Sequence, residues 1–163
     1  MSGFLGSTVY RRFGTKEDIL SAALQRTVEQ FHEAVTLAPV PGANPRERLG
    51  AFFTIATGAL AEEPKLAAAL FRSVASGVPE IAHRVLRYRT VMAEILLMVW
   101  HGTTQPPGDC PEAVETEMWV ARVLQNLWFA EMVGWTGGLH SSDEVQEQMI
   151  RAVHALVPEE DGS

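Results

Sequence analysis

Cysteine is almost missing from this chain. The single one, Cys110, excludes an internal disulfide and suits a reducing compartment. Long hydrophobic runs are missing too. The best candidate, Val91 to Trp100, is interrupted by Glu94 and falls far short of the ~18 apolar residues of a membrane span. The opening Met-Ser-Gly-Phe-Leu-Gly has no basic stretch followed by an apolar one, so it does not read as a signal peptide, and a cytoplasmic protein without membrane attachment is expected. His32, His83, His101, His140 and His154 show no His-x₃-His spacing, Cys110 has no basic neighbour, and no Gly-rich phosphate loop is found. Acid pairs such as Glu112/Glu115 fit the positive end of a helix dipole better than a catalytic pair. The expectation is therefore no enzyme, no cofactor and no metal site. Basic residues are outnumbered, thirteen against twenty acidic, which leaves a net charge of −7 and argues against nonspecific affinity for nucleic acid. The imbalance is uneven. Residues 1–20 hold three basic and two acidic side chains, while the rest hold ten and eighteen. Any DNA contact would sit at the N-terminus.

What the chain does have is helical periodicity divided by clear breaks. Its 163 residues, 47% hydrophobic and 20% charged, are enough for one folded domain that buries roughly 70% of its extended surface. Thr15 with Asp18 resembles a capping box, and Leu20, Leu24, Val28, Phe31 and Val35 recur at helical spacing, which predicts a helix over 16–37. After the break at Pro39–Ala43, Asn44-Pro45-Arg46-Glu47 supplies an N-cap, a proline at N1 and an acid at N3 for a second helix. Pro64 opens a third, which Gly77 stops. Pro79 opens a fourth running to about 101, with the stripe Ile81, Val85, Tyr88, Met92, Ile95, Val99. The loop 102–111 separates it from a helix over about 111–135 that ends at Gly137-Gly138, and Ser141–Glu144 caps the last helix, 142–157. The tail 158–163 is polar and expected to be disordered. No β pattern or internal repeat is present; the fold is all-α.

The fifth helix is apolar nearly all round, which requires cover all round. Its main stripe is Val114, Met118, Ala121, Gln125, Trp128, Met132 and Trp135. The economical cover is a second subunit, with this helix and the last one forming a four-helix bundle across a homodimer axis. Met118, Gln125, Trp128, Met132, Trp135, Met149 and Val153 are the expected interface; a central core helix of a monomer is the alternative.

Residues 6–20, GSTVYRRFGTKEDIL, carry the most specific signal. Thr8, Tyr10, Phe13, Lys16 and Leu20, with Ile19 before the last, fit a TxYxxFxxKxxLL run. This resembles the end of the helix-turn-helix of TetR-family transcriptional regulators, where such a run joins the recognition helix to the next. The resemblance implies a TetR-like helical bundle: residues 1–15 as the C-terminal remnant of the DNA-binding domain and 16–157 as a ligand-binding and dimerisation domain. It also implies DNA contacts by Ser7 and Thr8 near the groove and by Tyr10 and Lys16 on phosphates. Arg12 is either a phosphate contact or a solvated arginine. The chemistry agrees, since short hydroxyl side chains lie beside Arg11 and Arg12, and Lys16 sits at a helix N-terminus that favours phosphate. A helix-turn-helix also needs two bracing helices before this run. Only Met1 to Leu5 precede it here, so residues 1–163 are expected to bind operator DNA poorly. The competing reading is a dimerising ligand-binding or interaction protein without DNA binding.

Ala121-Arg122-Val123-Leu124, Trp128 and Trp135, with Pro64-Lys65-Leu66, Ala69 and Arg72, bear a looser likeness to the actinobacterial branch of that family that represses cholesterol catabolism. It implies a repressor released by a bulky apolar metabolite of lipid or steroid type. The residues themselves only bracket a pocket. Phe53, Phe71, Met92, Trp100, Trp119 and Phe129 could line an adaptable apolar cavity, with Arg72 and Asn126 orienting a polar end. Plain core packing competes with ligand contact at each aromatic position.

Overall fold

The computed structural model describes residues 14–77, 79–106 and 111–159. Six helices follow one another: α1 Lys16–Leu37, α2 Pro45–Ala61, α3 Pro64–Ala75, α4 Pro79–His101, α5 Pro111–Thr136 and α6 Ser142–Leu156. Among the described residues there is no strand, and the helix borders fall within about a residue of those the sequence predicts.

The caps show why. Thr15 Oγ1 accepts from the Asp18 N–H at 3.1 Å and donates to Asp18 Oδ2 at 2.9 Å, starting α1. At α2, Asn44 accepts from the Glu47 N–H at 3.0 Å, while Glu47 returns an acceptor to the Ala43 N–H at 2.9 Å and Pro45 occupies N1. Ser141 and Glu144 complete a reciprocal capping box at α6. The ends are equally local. At α4, Thr103 N–H reaches Met98 O at 3.0 Å and Gly102 N–H reaches Val99 O at 3.2 Å, a Schellman closure that uses the left-handed φ of +62° at Gly102.

α4 is the centre of the bundle. It packs against α1, α2 and α5, and Ile95 through Trp100 are all buried. The sequence assigns all-round cover to α5 instead. α5 is buried along Val120, Ala121, Leu124, Trp128 and Met132 but leaves Trp119, Arg122 and Asn126 exposed. α2 and α6 form the most extensive helix pair, with Leu49, Phe53, Val145, Met149 and Val153 fully enclosed.

Arg48 fastens α2 to the end of α4. Its Nε donates to Val99 O at 3.0 Å and its Nη2 to Trp100 O, so one guanidinium satisfies two last-turn carbonyls and lies at the negative end of the helix. Arg46, two residues earlier and on the opposite side of α2, donates to Val157 O at 2.8 Å and pairs with Glu159, which holds the exit of α6.

Candidate functional site

α1, α3, α4 and α5 line a partly open cavity of about 100 Å³. α1 supplies Leu24, Thr27, Val28 and Phe31; α3 supplies Leu70, Phe71 and Val74; α4 supplies Val85, Tyr88, Arg89 and Met92; α5 supplies Gln125, Trp128 and Phe129; Leu60 at the end of α2 completes the wall. Helical spacing brings these together. On α1, residues 24, 27, 28 and 31 share one stripe, and on α4, 85, 88, 89 and 92 share another.

The wall rests on an aromatic cluster. Phe31 meets Phe52 with ring centres 6.0 Å apart and Trp128 at 6.3 Å, while Phe53 lies 5.5 Å from Phe52 and 5.8 Å from Trp128. Phe71 and Phe129 form a separate pair at 5.7 Å. These spacings lie within the range of favourable tilted and edge-on contacts. Trp128 Nε1 donates to Thr57 Oγ1 at 2.9 Å, so the indole is both buried and hydrogen-bonded.

Polar groups on the wall are few, and most are occupied. Thr27 Oγ1 donates to Ala23 O at 3.0 Å within α1. Tyr88 Oη donates to Ser21 O at 3.4 Å, a long contact tying α4 to α1. The Arg89 guanidinium donates to Asn126 Oδ1. Gln125 differs: it is only 9% exposed, and its Oε1 has no hydrogen-bond partner among the described residues.

Of the pocket residues expected from sequence, Phe71, Met92 and Phe129 line the cavity. The other five lie elsewhere. Phe53 is fully buried behind Trp128, and Trp100 is buried at the far end of α4, where Arg48 holds its carbonyl. Arg72 is spent on Ala68 O of its own helix at 3.0 Å, and Trp119 is 60% exposed on the outside of α5. Asn126 reaches the cavity only through Arg89. The sequence does not assign the wall residues of α1, Tyr88 or Arg89 to the pocket, and it places Gln125 at the subunit interface instead. Periodicity marks them as inward-facing but does not say that the space they face is open. A lone amide in the apolar stripe of α5 was the available signal for Gln125.

Of the residues expected at a dimer interface, Gln125, Trp128, Met132, Met149 and Val153 are buried within one chain, where α5 packs on α3, α4 and α6, and α6 packs on α2. Met118 and Trp135 are half-buried. Of the expected DNA-contacting residues, Lys16 is exposed at the start of α1, whereas Ser7, Thr8, Tyr10 and Arg12 lie outside the described residues, as do Cys110 and residues 160–163 of the tail. Among the described residues, no cluster of His, Cys, Asp and Glu could hold a metal ion, and no helix is long and apolar enough to cross a membrane.

Residues 42–156 match the family described as "Tetracyclin repressor-like, C-terminal domain". The chain belongs to this family. The tetracyclin-repressor-like domain therefore begins at the turn before α2 and ends with α6, and it contains three of the four helices that form most of the cavity wall. The HTH-type transcriptional repressor KstR of Rhodococcus jostii is 27% identical over 150 residues, which cover 92% of this chain and 66% of that protein. Its namesake from Mycobacterium tuberculosis is 24% identical over 156 residues, covering 96% of this chain and 67% of that one. The chain thus spans about two thirds of the length of these relatives. A crystal structure of a TetR transcriptional regulator from Rhodococcus sp. RHA1 superposes with a TM-score of 0.73 at 18% identity, covering 93% of this chain and 76% of that one, and so shares its all-α fold. The family and these relatives are transcription regulators rather than enzymes.

Proposed function

We propose that residues 16–157 are the effector-binding and dimerising part of a cytoplasmic TetR-type transcriptional repressor that releases operator DNA when an apolar metabolite enters the cavity. The observation that carries this reading is the position of α1. It forms one wall of the cavity through Leu24, Thr27, Val28 and Phe31, and it starts at Lys16, directly after the residues that resemble the end of a helix-turn-helix. A ligand that presses on this wall moves the helix that carries the DNA-binding residues.

At about 100 Å³ the cavity is smaller than a lipid or steroid, so a bulky effector has to part α1 from α3 and α4 to enter. That need is the coupling: the effector binds the parted state more tightly than the closed one, and the parted state spaces the two recognition helices of a dimer less well for half-sites about one turn apart. Coupling of this kind is reciprocal and typically about 1–3 kcal/mol. The similarity to repressors named KstR supports the repressor reading, and the apolar wall supports the apolar effector. The homodimer is proposed to form across the outer face of α5, where Trp119 is exposed and Val123, Ala130 and Val133 lie on the same side, in place of the inward stripe.

The test is an operator titration by fluorescence anisotropy, with and without a lipid- or steroid-type effector. The repressor reading expects operator affinity to drop about 5–150-fold with saturating effector. Residues 1–163 alone are expected to bind the same duplex weakly, because a recognition helix needs its bracing helices. Effector binding by the native protein without operator binding would favour the dimerising ligand binder instead.

A further inference from the structure

The cavity wall is apolar except at four side chains, and three of these are already engaged. Thr27 is bound to its own helix, Tyr88 to Ser21 and Arg89 to Asn126. Only the Gln125 amide is buried at the wall with an oxygen that no described residue satisfies. An unpaired buried amide is costly, and a leucine of similar size would occupy the position without that cost. Local rules broken in this way are expected chiefly at functional or strained sites, and the backbone around Gln125 is ordinary helix.

We infer that Gln125 is the specificity-determining residue of the cavity, and that it selects an apolar ligand bearing one neutral hydroxyl. This rests on the effector-cavity reading above and names the chemistry the effector must carry. A hydroxyl fits for two reasons. It both donates and accepts, so it can meet the amide oxygen and also the amide N–H. It is uncharged, whereas a carboxylate brought to the amide oxygen would be repelled there and drawn to Arg89, elsewhere on the wall. The selectivity follows from the asymmetry of buried hydrogen bonds: a ligand lacking the hydroxyl fills the cavity yet leaves the amide unpaired, while a site without the amide strands the hydroxyl of the ligand.

Two shape-matched probes test this, 4-methylphenol and para-xylene, which differ by a hydroxyl in place of a methyl. Single-ring probes are chosen because a cavity of ~150 Å³ lined by apolar side chains accepts benzene, and this one, at about 100 Å³ and open on one side, must widen only slightly to take them; the phenol is neutral at pH 7. Titration by isothermal calorimetry should show 4-methylphenol binding at least about tenfold more tightly than para-xylene to the wild-type protein. In Gln125→Leu the order should reverse or the two should become equal, with para-xylene bound no more weakly than before. Without ligand, the same variant should melt about 2–4 °C higher, because an unpaired polar group has gone. Equal affinity of the two probes for the wild type, or a hydroxyl preference that survives in Gln125→Leu, would overturn the inference and leave the cavity intact. Failure of both probes to bind either protein would instead remove the effector-cavity reading, and the assignment of Gln125 with it.

Discussion

The indole N–H of Trp128 donates to the hydroxyl of Thr57 at 2.9 Å, deep between α5 and α2. It is a hydrogen bond between two buried side chains, and it fixes the tryptophan as one face of the cavity and as the ring that joins Phe31 to Phe53 in the aromatic cluster. Trp128→Ala should cost about 3–5 kcal/mol through the void it opens. Trp128→Phe and Thr57→Val should cost less and should couple by about 1 kcal/mol in a double-mutant cycle, because either change alone strands the other partner. Urea denaturation of the four proteins measures this; strict additivity would mean the bond contributes nothing.

Arg48 is expected to matter more than a half-buried arginine usually does. It satisfies the carbonyls of Val99 and Trp100 with two arms of one planar group. Arg48→Ala should destabilise the protein by about 2 kcal/mol, and Arg48→Lys should recover only part of that, since an ammonium cannot reproduce the fork. Chemical denaturation midpoints decide it; full rescue by lysine would show that charge at the helix end, not the paired hydrogen bonds, is what stabilises α4.

The capping box at α6 gives a pH dependence of known sign. The Glu144 carboxyl lies below its ordinary pKa, first because the backbone N–H of Ser141 donates to it, then because the Ser141 hydroxyl does, with a smaller contribution from His140. A carboxyl with a lowered folded-state pKa stabilises the protein above its unfolded-state value, and that contribution fades as the pH falls through the folded value. Wild type should therefore exceed Glu144→Gln in melting temperature at neutral pH, and the gap should close in acid. A gap that stayed constant through that range would show that the carboxylate charge plays no part in the cap.

Trp119 replaces the inward stripe of α5 as the expected centre of a subunit contact. Trp119→Glu should convert dimer to monomer in sedimentation equilibrium while leaving the helical signal unchanged, because the side chain is 60% exposed in one chain. Unchanged dimerisation would place the interface elsewhere.

The helices were legible because their signals are short-range. Thr15, Asn44-Pro45, Pro64, Ser141–Glu144 and Gly138 each act within four residues, so neighbouring side chains alone define the borders. The cavity was only partly legible. Periodicity put Phe71, Met92 and Phe129 on inward faces, but it assigned Trp128 and Met132 to a partner and Trp119 to the pocket. Which neighbour covers a given face of α5 depends on where α2 and α4 lie, and that is set by contacts between distant residues, such as Thr57 with Trp128, 71 apart, and Arg89 with Asn126, 37 apart. No local pattern carries that information.

The most direct test of the central claim, that occupation of this cavity loosens the grip on DNA, is operator affinity with and without effector, measured on protein purified from its native cells. Operator fragments selected by that protein serve as the duplex, and anisotropy gives Kd. The account predicts a weaker Kd at saturating effector, and a Phe71→Trp variant, whose cavity is filled, that holds the operator equally well with effector or without it. An effector that binds the wild-type protein by calorimetry yet leaves its operator Kd unchanged would contradict the account.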